Sequence, residues 1–174
     1  MPDFTARLAR WRVPAGFLFG ALVLWLAHPT RASLELGAAI AAVGEAIRVW
    51  AAGHLRKGRE VTMSGPYRFT RHPLYVGSSV IGAGLAVGAR SLPAAVLIAV
   101  YLVVMVTAAI RSEEAFLTGK FGAQYETYRQ AGAERTAAAR RFSARQALAN
   151  REYRAVVGVL VVLALLAGRA WLGR

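Results

Sequence analysis

The chain has 174 residues, 56% of them hydrophobic, with a formal charge of +13 and a mean hydropathy of +0.41. A soluble domain of this size does not need so much apolar sequence in such long runs, and the basic residues fall between those runs rather than on one face, which argues against a nucleic-acid partner. There is no cysteine, which excludes disulfides, thiolate catalysis and cysteine-ligated metal, and the three histidines, His28, His54 and His72, are too few to favour a histidine metal site.

A helix needs about 20 apolar residues to cross a bilayer core of ~30 Å. Five segments approach that length, at residues 14–28, 34–54, 74–89, 92–110 and 155–172. The expected fold is all-α: a polytopic integral membrane protein of about five transmembrane helices with interfacial helices on the cytosolic side, forming a single membrane-embedded domain. The first span follows an arginine-rich arm. It reads as a retained anchor rather than a cleaved signal peptide, because keeping it preserves the alternation of basic and neutral loops. In the second span Glu45 and Arg48 lie three apart on one helix face. An unpaired charge in lipid costs roughly 3 kcal/mol or more, so a mutual pair is one reading and a role in lining a ligand cavity the other. The third span carries Gly77, Gly82, Gly84 and Gly88. Its glycine string lacks the strand context of a nucleotide-binding loop, so close helix packing is expected. A tight turn at residues 88–93 leads into a fourth span opened by Pro93. Residues 124–154, rich in alanine and arginine with Tyr125, Tyr128, Phe142 and Tyr153, read either as helices on the lipid surface with snorkelling arginines or as a solvated linker.

Seventeen of the 22 basic residues lie in the N-terminal arm, the 54–73 loop and the 111–154 segment; four lie on the other side, and Arg48 is inside the second span. This bias places the N-terminus and both long loops in the cytosol and the C-terminus outside. Twenty of the 22 are arginine, a usage that points to a prokaryotic chain and an inner (plasma) membrane.

Two polar clusters stand out, at residues 64–77 and 111–128, separated by the third and fourth spans. An up-and-down helix pair returns the chain to its starting side, so the clusters meet on the cytosolic face. His72 and Tyr75 supply directional hydrogen bonds. Pro73 suits a first helical turn and leaves backbone N–H groups free for an anion. Glu113 or Glu114 can neutralise an amine, and nearby arginines can grip a carboxylate or phosphate. Nothing in the sequence resembles a nucleophile–base dyad, so the pocket reads as one that positions ligands. Taken singly, a histidine before proline is ordinarily a cap and a Glu-Glu pair after a span a solvated interface.

The string GPYRFTRHPLYVG, followed after two apolar spans by EEAFLTGKFGAQYETY and preceded by GEAIRVWAAGHLRKGREV, resembles the isoprenylcysteine carboxyl methyltransferase and phospholipid methyltransferase superfamily of integral membrane enzymes over residues 44 to 128. The resemblance implies an S-adenosyl-L-methionine-dependent methyltransferase with the cofactor on the cytosolic side. It implies that His72, Pro73, Leu74 and Tyr75 line the cofactor pocket, with Tyr67 and an approach strand at residues 60–63 that includes Val61 and Thr62. It also puts His54 near a polar cofactor contact and makes Glu113 the cofactor-binding glutamate. Glu114 and Arg111 are the candidate catalytic residues. Relatives carry a substrate-binding arginine one turn before the glutamate, where this chain has Ala109, and residues 129–174 replace the short tail with a basic segment and an extra span. The implied reaction is direct methyl transfer to a lipophilic acceptor, prenylated or lipid. A carboxylate is the first choice, being ionised at neutral pH (pKa ~4) without a general base. A phospholipid or amine N-methyltransferase, or a non-catalytic membrane scaffold, are the alternatives.

Overall fold

The computed structural model describes residues 16–130 and 140–172. The arginines of the N-terminal arm (Arg7, Arg10, Arg12), together with Arg135 and Arg174, lie outside the described residues. Helix α1 spans Gly16–Leu26, α2 Arg31–His54, α3 Pro73–Ala89, α4 Leu92–Phe121, α5 Ala123–Gln130, α6 Ala144–Ala149 and α7 Tyr153–Leu172, with a 3-10 turn at Gly65–Arg68. No strand occurs among the described residues; the expected approach strand at 60–63 is irregular chain. Helices α2, α4 and α7 are long and apolar enough to cross a membrane, while α1 and α3 are shorter apolar helices. The all-α membrane fold expected from the hydropathy pattern is the fold observed.

Each helix boundary has a local cause. Thr30 caps α2 through its hydroxyl, which accepts from Ser33 N (3.2 Å), and Ser33 Oγ accepts from Thr30 N (2.9 Å), a reciprocal capping box. Arg90 closes α3 in the left-handed region (φ 46°), and Ser91 caps α4 with Pro93 in its first turn. The α1–α2 loop is fastened to that turn by His28 N donating to Ala89 O (2.9 Å) and Ser33 Oγ donating to Gly88 O (3.2 Å). Val23, Ala27, Ala89, Ala94 and Leu166 form a buried cluster at this end of the bundle.

The tightest packing joins α2 to α3. A Cβ built on Gly37 would sit 2.5 Å from Gly84 O, and one on Gly44 2.7 Å from Gly77 O; reciprocally, a Cβ on Gly84 would sit 2.5 Å from Gly37 O. The two backbones therefore touch, which only hydrogen side chains permit. The expected packing role of the third-span glycines is thus realised, with partners on α2 for Gly77, Gly84 and Gly88 and with Leu102 of α4 for Gly82.

Helix α4 continues to Phe121, eleven residues past the apolar stretch that ends at Ile110. At 1.5 Å per residue its 30 residues span about 45 Å, more than a ~30 Å bilayer core, so its last turns project beyond the apolar layer. Gly122 (φ 49°) then turns the chain into α5, which buries Tyr125 and Tyr128 against Val61, with Met63, Leu117 and Phe121 packed around them.

The basic segment before α7 is docked, at least over its described part. Asn150 Nδ2 donates to Ala52 O and Leu55 O (both 2.8 Å), and Gln146 Nε2 donates to Leu55 O (3.0 Å), so residues 146–150 cap the C-terminal carbonyls of α2. Arg140 grips the Glu60 carboxylate with both terminal nitrogens, and Phe142 packs on Gly53 and the His54 ring. One expectation is overturned here. Arg48 does not pair with Glu45; its Nε lies 2.7 Å from Glu152 Oε1 at the start of α7, an electrostatic contact in which the N–H is not aimed for a good hydrogen bond. Both Glu45 oxygens are buried without a hydrogen-bond partner among the described residues. The tertiary partner wins because Arg48 also has acceptors waiting on α3, described below.

Two measurements check this packing. Gly37→Leu should lower stability in detergent by at least ~1–3 kcal/mol, since the obstruction is backbone and no rotamer relieves it. Gly158→Leu, where nothing lies within 4 Å of the added carbon, should leave the unfolding midpoint nearly unchanged. The hydrogen bonds from Arg140 hold the Glu60 carboxyl below its ordinary range. Its contribution to stability is therefore complete above the unfolded carboxyl pKa of ~4.3 and is lost as pH falls through the lower folded value. The difference in unfolding midpoint between wild type and Glu60→Gln should be present at pH 7 and shrink as pH is taken to 3; a difference independent of pH would contradict it.

Candidate functional site

Pro73 starts α3 and His72 precedes it with φ −130° and ψ 54°, outside the helix. The His72 side chain makes no cap hydrogen bond, leaving its ring free to turn toward α4. There Nε2 lies 3.1 Å from Glu114 Oε1, and the same oxygen accepts from Arg71 Nη1 at 3.0 Å. A carboxylate has no proton to donate, so Nε2 carries the hydrogen. Nδ1 of His72 lies 4.0 Å from Glu113 Oε2, too far for a hydrogen bond, and is buried without a partner among the described residues. The Tyr75 ring is tilted against the imidazole, centroids 5.9 Å apart. The two polar clusters separated by the α3–α4 hairpin thus meet.

Beneath this group α5 forms a floor. Tyr128 OH donates to Tyr67 O (3.0 Å), fixing the 3-10 turn, and Val61 is buried against Tyr125 and Tyr128. Burial pushes the Tyr67 phenol up, with the Glu113 carboxylate adding to the shift, and burial followed by Glu114 does the same for Tyr125. Both phenols stay protonated at neutral pH and can act as donors, not as bases.

A cleft of about 510 Å³ opens beside His72 between α3 and α4. Its polar end is lined by Thr70, His72, Tyr75 and Ser79, and its apolar walls by Val76, Val80, Ala83, Val106 and Ile110. Polar and apolar linings follow one another along a single helical hairpin.

The candidate residues from the sequence separate into three groups. His72, Tyr75, Glu113 and Glu114 come together at the cleft or directly behind it, with Pro73 and Leu74 forming the first turn that carries them. Tyr67, Val61, Thr62 and His54 do not line this cleft: Thr62 Oγ1 accepts from Arg56 N (3.3 Å), and His54 is buried with Nδ1 3.1 Å from Ser64 Oγ and Gly65 covering its ring. Arg111 is exposed on α4, and the arginine that reaches Glu114 is Arg71. The free backbone N–H groups expected after Pro73 are fewer than anticipated, because His72 O accepts from Tyr75 N (3.0 Å) and Val76 N (3.1 Å). Sequence reasoning missed Arg71, though it sits beside His72 within the motif. It singled out Arg48 but not its partners on α3, where Nη1 donates to Leu74 O (3.4 Å) and to Ser78 Oγ.

The chain is 33% identical over 125 aligned positions to the nickel-cobalt-cadmium resistance protein NccN of Alcaligenes xylosoxydans xylosoxydans, covering 66% of this chain and 57% of that protein. It is 32% identical over 125 positions to the cobalt-zinc-cadmium resistance protein CzcN of Cupriavidus metallidurans, covering 66% of this chain and 56% of that one. The chain thus spans a little over half the length of these curated relatives. No solved structure matches. The phospholipid methyltransferase family matches residues 32–124, from the first turn of α2 through the start of α5 and so across the whole His72–Glu114 cluster. The chain belongs to the phospholipid methyltransferase family.

Proposed function

We propose that the chain is an S-adenosyl-L-methionine-dependent methyltransferase that modifies a lipophilic acceptor at the cytosolic membrane face. The observation that carries this reading is the continuity of the cleft: an imidazole backed by Glu114 stands at one end, and an apolar wall between two membrane helices forms the rest.

The cofactor's fit rests on a specific feature. His72 Nδ1 is a buried polar atom with no partner among the described residues, and leaving such a group unsatisfied costs ~1–3 kcal/mol. A polar ligand that hydrogen-bonds it would recover that cost. His72, Leu74, Tyr75 and Glu113 are the residues that would hold the cofactor, Glu113 being a half-exposed carboxylate able to neutralise an ammonium group. When bound, S-adenosyl-L-methionine supplies an electrophilic methyl group on a sulfonium. The chain's own part is positioning and exclusion of water. Arg71 and Glu114 lock the His72 ring, Tyr125 and Tyr128 hold the floor, and Val76, Val80, Ala83, Val106 and Ile110 take the acceptor's apolar portion. Holding reacting atoms within about 3–3.5 Å in a dry site supplies much of the rate for a nucleophile that is already ionised, as a carboxylate is. An amine-bearing lipid is the alternative acceptor, favoured by the family match, and would need a proton acceptor within reach. The bias of basic residues supports the cytosolic placement of this face.

The relatives' names associate them with resistance to nickel, cobalt, zinc and cadmium. Among the described residues no group of three or more His, Cys, Asp or Glu side chains is placed to hold a metal ion.

Calorimetric titration of the purified protein with S-adenosylhomocysteine tests the proposal. Wild type should bind, and His72→Ala and Glu113→Ala should each weaken binding by about tenfold or more, the loss of at least one charge-assisted or buried hydrogen bond. Folded wild-type protein that gives no binding heat at several temperatures would sink it.

A further inference from the structure

Arg48 occupies an unusual position for a charge inside a membrane helix. Its stem passes over the α2–α3 contact, where a Cβ on Gly77 would meet Arg48 Cγ at 2.5 Å. Beyond it, Nη1 donates to Leu74 O (3.4 Å) and to Ser78 Oγ, and Ser78 Oγ donates to Leu74 O (2.9 Å). These acceptors belong to the opening turns of α3, the segment that begins immediately after His72 and carries Tyr75. On the other edge of the guanidinium, Glu152 lies 2.7 Å from Nε, and the two side chains are only 19% and 8% exposed. A planar guanidinium that hydrogen-bonds through Nη1 and is ion-paired at Nε is suited to join two elements in this way.

The choice of anion is informative. Glu45, one turn away on the same helix, is present however the rest of the chain is arranged, yet the close ion pair of Arg48 is made with Glu152. Glu152 is available only when the segment before α7 is docked. That docking has contacts of its own: Asn150 and Gln146 on the end of α2, and Arg140 on Glu60. None of Arg140, Gln146, Asn150 and Glu152 lies within the region 32–124 that matches the family.

We propose that Glu152, acting through Arg48 and Ser78, is a positioning residue for the first turn of α3, which makes residues 140–153 a working part of the site rather than an appended anchor. Its link to ligand binding rests on the reading that the His72 cluster holds the methyl donor. Removing the Glu152 charge leaves Arg48 buried with Glu45 as the nearest acid on its own helix; attraction toward Glu45 draws the guanidinium off Leu74 and Ser78 and loosens the turn that places His72 and Tyr75.

The test uses the full chain in lipid nanodiscs, with Glu152→Gln, Glu152→Asp and Ser78→Ala. Two quantities are read: amide hydrogen exchange resolved by peptide, and affinity for S-adenosylhomocysteine. Glu152→Gln should speed exchange over residues 72–80 by about tenfold and weaken binding by about tenfold, the scale of one lost hydrogen bond. Exchange over residues 31–44 should stay at the wild-type rate, which a general loss of stability would not allow. Glu152→Asp should restore most of both. Ser78→Ala, which removes the hydroxyl joining Arg48 to Leu74 O, should show the same local effect in smaller measure, and it decides the matter if Glu152→Gln does not fold. Wild-type exchange over 72–80 in either folded variant overturns the proposal. Local exchange that speeds up while wild type itself fails to bind S-adenosylhomocysteine supports the positioning role and counts against the methyl-donor reading.

Discussion

The arrangement of this protein depends on two helices meeting backbone to backbone. Gly37 and Gly44 of α2 face Gly84 and Gly77 of α3 at separations that admit no side chain. Inside a bilayer, lipid tails are as apolar as leucine, so helices gain little from hiding hydrophobic surface and associate instead through close packing of small residues. The contact fixes the register of α3 against α2. Register in turn puts Arg48 alongside Gly77 and within reach of Leu74 O, and so sets where the chain before α3, with His72, emerges. A one-turn slip would move every one of these groups by about 5.4 Å.

The second constraint is the length of α4. Because this helix runs unbroken to Phe121, Glu113 and Glu114 ride on its extension past the apolar layer and meet the loop that opens α3. Along its membrane span Val96, Val100, Val103 and Val104 are all more than half exposed, as expected of a helix facing lipid. The cleft between α3 and α4 has a polar end at Thr70, His72, Tyr75 and Ser79 and apolar walls beyond it, the shape that the proposed water-soluble donor and lipid-soluble acceptor would require.

The sequence carried much of this plainly. Apolar run lengths located the helices, the glycines of the third span announced close packing, and hairpin topology alone required His72 and the Glu113–Glu114 pair to share a side. What it did not carry was the allocation of charge partners. Glu45 and Arg48 satisfy the i, i+3 rule and read as a pair, but that rule describes an isolated helix and is worth only ~0.2–0.5 kcal/mol. Glu152, lying more than a hundred residues away between an alanine–arginine segment and an apolar span, offers no periodic signal that it will be buried beside Arg48. Arg140 and Asn150 were equally silent, since a helix-capping amide from a distant segment leaves no local pattern. Apolar composition stops at Ile110 whereas the helical hydrogen bonding of α4 runs on to Phe121, so run length marks the apolar span and not the helix end.

The measurement that bears most directly on the account is the distance between His72 and Glu114 in the native membrane. The chain has no cysteine, so a His72→Cys, Glu114→Cys double variant carries the only two thiols. A thiol-specific cross-linker with an arm of about 5 Å, comparable to the reach of one disulfide and its flanking carbons, should join them in high yield within intact vesicles, while a His72→Cys, Arg90→Cys pair at opposite ends of α3 should remain unlinked. Absence of the first cross-link in folded protein, with both thiols shown to be reactive, would mean that the imidazole and the carboxylate do not share a pocket, and would contradict the account.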